Sequence, residues 1–214
     1  FGAFQIGSAT SSSFTMTGGN INIDPQAATF LSPFTSAFTI SGSASAIWSG
    51  GTVTIIDPPA GSSGSNSTVS LQPGGSKSIT GGTLRIGDGI SGTASGPFNN
   101  SSGYNLSLSM GVWNLVIDNR TDLSNTRQCR IGFPSTFNAS YVLNTLTINN
   151  NATLMLSASG SAQTIGLYGD LINNGVLAGP EAGSVSTLGT IQFLKPSGTQ
   201  TVSGSGSFYN IANL

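Results

Sequence analysis

One short phrase recurs through the chain at an almost fixed interval, and that recurrence restricts the fold more than any other feature. Gly18-Gly19-Asn20-Ile21-Asn22-Ile23-Asp24 is echoed by Gly50-Gly51-Thr52-Val53-Thr54-Ile55-Ile56-Asp57, and again by Gly81-Gly82-Thr83-Leu84-Arg85-Ile86-Gly87-Asp88. The series continues at Leu115-Val116-Ile117-Asp118 and Leu146-Thr147-Ile148-Asn149, so that Ile23, Ile55, Ile86, Ile117 and Ile148 are separated by 32, 31, 31 and 31 residues. Each phrase alternates apolar and polar side chains, which is the pattern of a strand with one buried face. Phe14-Thr15-Met16-Thr17, Ser78-Ile79-Thr80 and Leu106-Ser107-Leu108-Ser109-Met110 run into three of these strands through a Gly, so the repeating unit holds at least two strands and a tight corner.

A repeat of this length buries its apolar face by stacking on its neighbours. The expectation is an all-β chain folded as a parallel β-helix (β-solenoid) with coils of about 31 residues, in which equivalent strands pair in register. The competing reading is a β-sandwich of look-alike strands, whose turn signals recur at a shorter interval and give no reason for a 31-residue echo. Helix signals are nearly absent, because Gly or Pro interrupts most windows and apolar residues do not keep a helical spacing. Residues 1–214 read as a single β-solenoid domain, with 1–13 an N-terminal cap or a subunit-exchanged strand.

Composition narrows the function. Only 6% of the 214 residues are charged and the formal net charge is −1, while 37% are hydrophobic, which supports a core rather than disorder. Six basic residues provide no stripe that could neutralise a run of phosphates, so nucleic acid is excluded as a partner. No apolar run reaches the length of a membrane helix, and membrane insertion by a helix is not expected. Cys129 stands alone and reads as a buried, inert thiol. A first residue Phe1 in place of Met is the expectation for a processed, secreted chain.

The chain reads as a non-enzyme. It contains no histidine, which removes Ser-His-Asp and Cys-His arrangements and His-containing zinc sites. The acids are Asp24, Asp57, Asp88, Asp118, Asp122, Asp170 and Glu181. Four of them end the repeated strand, and stacking would set Asp24, Asp57, Asp88 and Asp118 in one column. That column reads as a corner-capping ladder ahead of a calcium site or a catalytic carboxylate pair. No catalytic residue, metal or cofactor is therefore assigned. Trp48 and Trp113 precede successive marker strands and are expected in the core, with a sugar platform as the alternative. The Asn-Xaa-Ser/Thr triplets at Asn66, Asn105, Asn119, Asn138 and Asn151 are expected by accident in so Asn- and Ser-rich a chain.

In the C-terminal third the wording changes. Leu146-Thr147-Ile148-Asn149-Asn150-Asn151-Ala152-Thr153-Leu154 is followed by Gly169-Asp170-Leu171-Ile172-Asn173-Asn174-Gly175-Val176-Leu177 and by the Gly- and Ser-rich run from Gly198 to Leu214. This part, residues 142–214, resembles the adhesin-like β-helical repeats of large secreted bacterial surface proteins. The resemblance implies an extracellular or cell-surface location and no shared catalytic motif.

The leading expectation for function is a structural subunit, with assembly as its role, because head-to-tail contacts that do not close make a filament. The chain itself is then the partner, and surface glycans are the partner under the alternative of an adhesin or a carbohydrate-binding or carbohydrate-cleaving β-helix. The subunit contacts expected are Phe1, Phe4 and Ile6 at the uncharged N-terminal stretch and Phe208, Tyr209 and Ile211 at an open coil edge. Arg120, Arg127 and Arg130, three of the six basic residues, complete the set in the one charged segment.

Overall fold

The computed structural model describes residues 4–7, 12–23, 36–56, 69–89, 104–118, 129–131, 139–158, 161–179 and 188–212. Among them there is no helix, and nearly all of the strand pairing is parallel. An eight-stranded sheet runs in the order Phe4–Ile6, Phe38–Ile40, Val69–Leu71, Tyr104–Ser107, Cys129–Ile131, Thr153–Met155, Val176–Ala178 and Ser207–Tyr209. An eleven-stranded sheet follows Ser13–Ile23, Ser45–Ile55, Thr83–Ile86, Val112–Ile117, Ala139–Ile148, Thr164–Leu167, Gly189–Phe193 and Ile211–Ala212. Beside that path, Lys77–Ile79 pairs with Ser45–Ile55, and Asp170–Asn173 pairs with Ala139–Ile148 and Val202–Ser203. The exception to parallel pairing is a small antiparallel hairpin, Ser157–Ala158 with Ser161–Ala162.

Along the chain, visits to one sheet alternate with visits to the other from Phe4 to Ala212, apart from that hairpin. A strand can pair in parallel with an earlier one only after a crossover, and here the other sheet supplies the crossover. The result is all-β with long parallel sheets, consistent with a β-solenoid-like arrangement.

The register follows the sequence echo. Ile23 pairs with Ile55, Ile55 with Ile86, Ile86 with Ile117 and Ile117 with Ile148. All five side chains are fully buried. Two positions earlier Val53, Leu84, Leu115, Leu146 and Leu171 form a second buried column. Phe38, Ile40, Val69, Leu71, Leu106, Cys129, Leu154 and Leu177 face them from the eight-stranded sheet, and all belong to one continuous core cluster. After Ile148 the interval shortens, since Ile148 registers with Asn173, 25 residues on.

Asn173 is buried where the preceding strands carry Ile, and its amide is occupied there. Its Nδ2 donates to the Ser207 carbonyl at 3.0 Å, and its Oδ1 accepts the Gly175 N–H at 3.2 Å. The Asn-Asn-Gly phrase is thus a corner whose side chains do the work of backbone hydrogen bonds.

The Gly-Gly corners have a backbone cause. Gly19, Gly51 and Gly82 have φ of 78°, 83° and 89°, in the region that a Cβ disfavours. At Gly82 a Cβ would also run into the Trp48 indole, which is buried and donates Nε1–H to the Gly50 carbonyl at 3.0 Å.

The echo was over-extended at one place. Met16 registers with Trp48 and Trp48 with Ile79, as the shared lead-in implies, but Leu106 pairs with Val69 and Ile131 in the other sheet. The alternation of Leu106-Ser107-Leu108 resembles Phe14-Thr15-Met16 because both are half-buried strands, and alternation does not say which sheet a strand joins.

Candidate functional site: the sheet ends and the outer face

The expected subunit contacts fall at opposite ends of the molecule. Phe4–Ile6 is the first strand of the eight-stranded sheet and pairs with Phe38–Ile40 of its own chain, Phe4 to Phe38 and Ile6 to Ile40. Both Phe4 and Ile6 are half-buried. The Phe4 ring lies 5.8 Å from Phe38 and 6.3 Å from Phe14, in an edge-on cluster that extends to Trp48. Phe208 and Tyr209 lie on the last strand of that sheet, registered with Leu177 and Ala178. Ile211 lies on the last strand of the eleven-stranded sheet, registered with Gly189.

At this second end the inward-facing positions lose their cover. Val202 registers with Leu171, yet Val202 is 46% exposed and Leu171 is 0%. Phe193 registers with Leu167 and is 36% exposed against 1%. Phe208 packs against the core in register with Leu177, and its neighbour Tyr209 faces outward, 59% exposed. Val202 and Phe193 were missed by the sequence reading, although each falls on an apolar position of an alternating strand.

Phe1, Arg120 and Arg127 lie outside the described residues. Arg130 is described by its backbone, which pairs between Asn105 and Met155. The arginine contact proposed from the sequence is therefore not assembled by what is described.

The carboxylate column is corrected by the register. The backbone N–H of Asp118 donates to Ile86 O and that of Gly87 donates to Ile55 O, so Asp118 stands over Gly87 and not over Asp88. Gly87 separates Ile86 from Asp88, whereas Ile117 is followed directly by Asp118, and that one residue staggers the two acids. Asp24, Asp57, Asp122 and Glu181 lie outside the described residues, and among the described residues no three of His, Cys, Asp and Glu group together.

Asp118 instead meets Arg85, which the sequence reading overlooked. Arg85 Nε donates to Asp118 Oδ2 at 3.0 Å, Nη2 contacts the same oxygen, and Nη2 also donates to the Asp88 carbonyl at 2.9 Å. Asp118 is mostly buried, and Gly89 leaves room for its carboxylate, which a Cβ there would approach within 2.9 Å. Asp170 is also engaged, with Oδ1 accepting the Thr201 N–H at 2.8 Å.

Trp48 is in the core as expected, but Trp113 is half-buried and stands on the outer face, out of phase with buried Val112. Cys129 is fully buried, and loss of solvent pushes its thiol well above the ordinary range. Compared with protein-family models, with curated proteins and with solved structures, the chain matches none of them.

Proposed function

We propose that the chain is a parallel β-helix that serves as a structural subunit of an extracellular or cell-surface assembly, a filament built by head-to-tail stacking. In this reading each return to the eleven-stranded sheet completes one coil, of about 31 residues as far as Ile148, 25 from Ile148 to Asn173 and 31 again from Leu171 to Val202. The observation that carries it is the exposure of Val202 and Phe193, which hold inward positions where, among the described residues, no partner is registered above them. Such an end also presents a row of backbone donors and acceptors, which a parallel strand from a second copy would satisfy. The first strands, Phe4–Ile6 and Ser13–Ile23, offer the opposite edge of the same two sheets. Joining unlike ends along the stacking direction, with a rotation that does not close a ring, makes the product a fibre. The adhesin-like wording of residues 142–214 supports the extracellular setting.

Electron microscopy of the purified 214-residue protein over a range of concentrations tests this. Uniform fibres are expected, and Val202→Lys is expected to abolish them while the melting curve of the dispersed protein stays two-state. Dispersed monomers at every concentration, or fibres indifferent to Val202→Lys, would overturn the proposal.

A further inference from the structure

We propose, beyond the assembly reading, that the outer face of the eleven-stranded sheet carries a lateral binding track for a neutral polysaccharide, centred on Tyr141 and Tyr168. In a strand, neighbours of buried residues point outward. Val112, Val142 and Leu167 are buried and in register, and Leu167 pairs with Phe193. Just past these strand ends the Tyr168 N–H donates to Val142 O and the Leu194 N–H to Leu167 O, which sets Leu143, Tyr168 and Leu194 side by side in one column, with Trp113 at the register shift next to Leu143. The residues that precede Val112, Val142, Leu167 and Phe193, namely Gly111, Tyr141, Gly166 and Gln192, form a second column alongside.

Two glycines shape this surface. A Cβ on Gly166 would stand 2.8 Å from Tyr141 Cδ1 and 2.7 Å from Leu194 Cδ1, so both side chains lie down over the bare backbone. Gly111 likewise lies beneath Leu143, whose Cδ2 would be 3.4 Å from a Cβ there. Tyr141 and Tyr168 then sit with ring centroids 6.3 Å apart and planes at 47°, and Tyr168 is 38% exposed. The rings make a low, broad apolar ledge rather than a core.

The flanks identify the partner. Asn144 is exposed and donates Nδ2–H to Asn114 Oδ1 at 2.9 Å, and Gln192 is exposed on the other side. Amides beside flat aromatic faces suit a sugar, whose C–H faces stack on rings while its hydroxyls exchange hydrogen bonds with amides. The two columns contain no charged side chain. Lys195, next to Leu194, turns its Nζ to the Thr199 carbonyl at 2.7 Å, and Asp170 is held by Thr201. Among the described residues an anionic chain would find no cation in the two columns. Strands about 4.8 Å apart also repeat at roughly the length of one pyranose ring, so a linear glycan can meet each strand in turn.

Affinity electrophoresis of the dispersed protein in gels containing soluble β-glucan, galactomannan or xylan, with polygalacturonate as the anionic control, tests the track. Retardation by at least one neutral polysaccharide is expected, with at least a tenfold weakening in Tyr168→Ala and none in Ile47→Ala, an exposed apolar position elsewhere on the same sheet. Circular dichroism of Tyr168→Ala should match the parent. Failure of all three neutral polymers, retardation by polygalacturonate alone, or binding unchanged in Tyr168→Ala would overturn the proposal. A change of oligomeric state in Tyr168→Ala without glycan would overturn it too, since a second copy would then be the occupant. Fibre formation is read separately, so either proposal can fail without the other.

Discussion

At Gly82 two independent constraints meet in one residue: φ of 89° and the Trp48 indole pressed against the position a Cβ would take. Gly82→Ala is expected to cost at least about 2 kcal/mol, since left-handed backbone strain and overpacking add. Gly18→Ala, where nothing lies within 4 Å, is the control and should shift stability by no more than about 1 kcal/mol; urea denaturation of both variants makes the comparison. The Arg85–Asp118 pair gives a second expectation. Arg85→Met leaves a mostly buried carboxylate without its ion partner, which should cost about 1–2 kcal/mol after allowance for the partly solvated arginine. Adding Asp118→Asn to Arg85→Met should then cost less than Asp118→Asn alone, and strict additivity in a double-mutant cycle would show that the pair is not coupled. Cys129, buried and shifted away from the thiolate, should resist iodoacetamide until the protein unfolds, as mass spectrometry can follow.

At the scale of the strand, what the sequence makes legible is what repeats with a constant interval. The Ile23, Ile55, Ile86, Ile117 and Ile148 column could be written down because every strand ends on the same kind of side chain and begins at a similar corner. The Asp column failed for a related reason: one inserted Gly87 shifts Asp88 out of phase, and a conserved-looking strand end does not guarantee equal phase beyond it. Arg85 was legible in principle, since aligning Ile86 with Ile117 places it one strand below and two positions from Asp118, but a contact across strands shows only after the register is fixed. The eight-stranded sheet was harder to see. Its partners are separated by 34 residues at Phe4 and Phe38, 37 at Val69 and Leu106, and 23 at Leu154 and Leu177, so no fixed echo marks them. The core columns set the element-scale expectation. Leu84→Ala, in the middle of the stack and fully buried, should cost about 2–5 kcal/mol, and Ile21→Ala, half-buried on the first strand of the same sheet, distinctly less. Equal losses would mean that the first strand is covered as deeply as the third.

For the molecule as a whole, stability comes from one core shared by all the layers, not from charge or disulfides, and the outer surface is left to small polar side chains and a few aromatic ones. A repeat fold of this kind is extended by adding a layer at an end and decorated by changing outward residues, which leaves the buried columns untouched. That separation is why assembly is assigned to the ends and sugar recognition to the flank. Trp113 illustrates what sequence left open: its aromatic character was visible, but its placement depended on the phase of its own strand, whose buried positions step from Val112 to Leu115 beside the Leu143–Asn144 bulge of the neighbouring strand. The central claim is the parallel register of the marker strands. It is tested most directly by oxidising paired cysteines in a Cys129→Ser background at high dilution. Val116→Cys with Thr147→Cys, which are register partners, should cross-link rapidly within one chain, while Asn114→Cys with Thr147→Cys, two positions off and beyond disulfide reach, should not. Cross-linking of the offset pair in preference to the registered one would contradict the account.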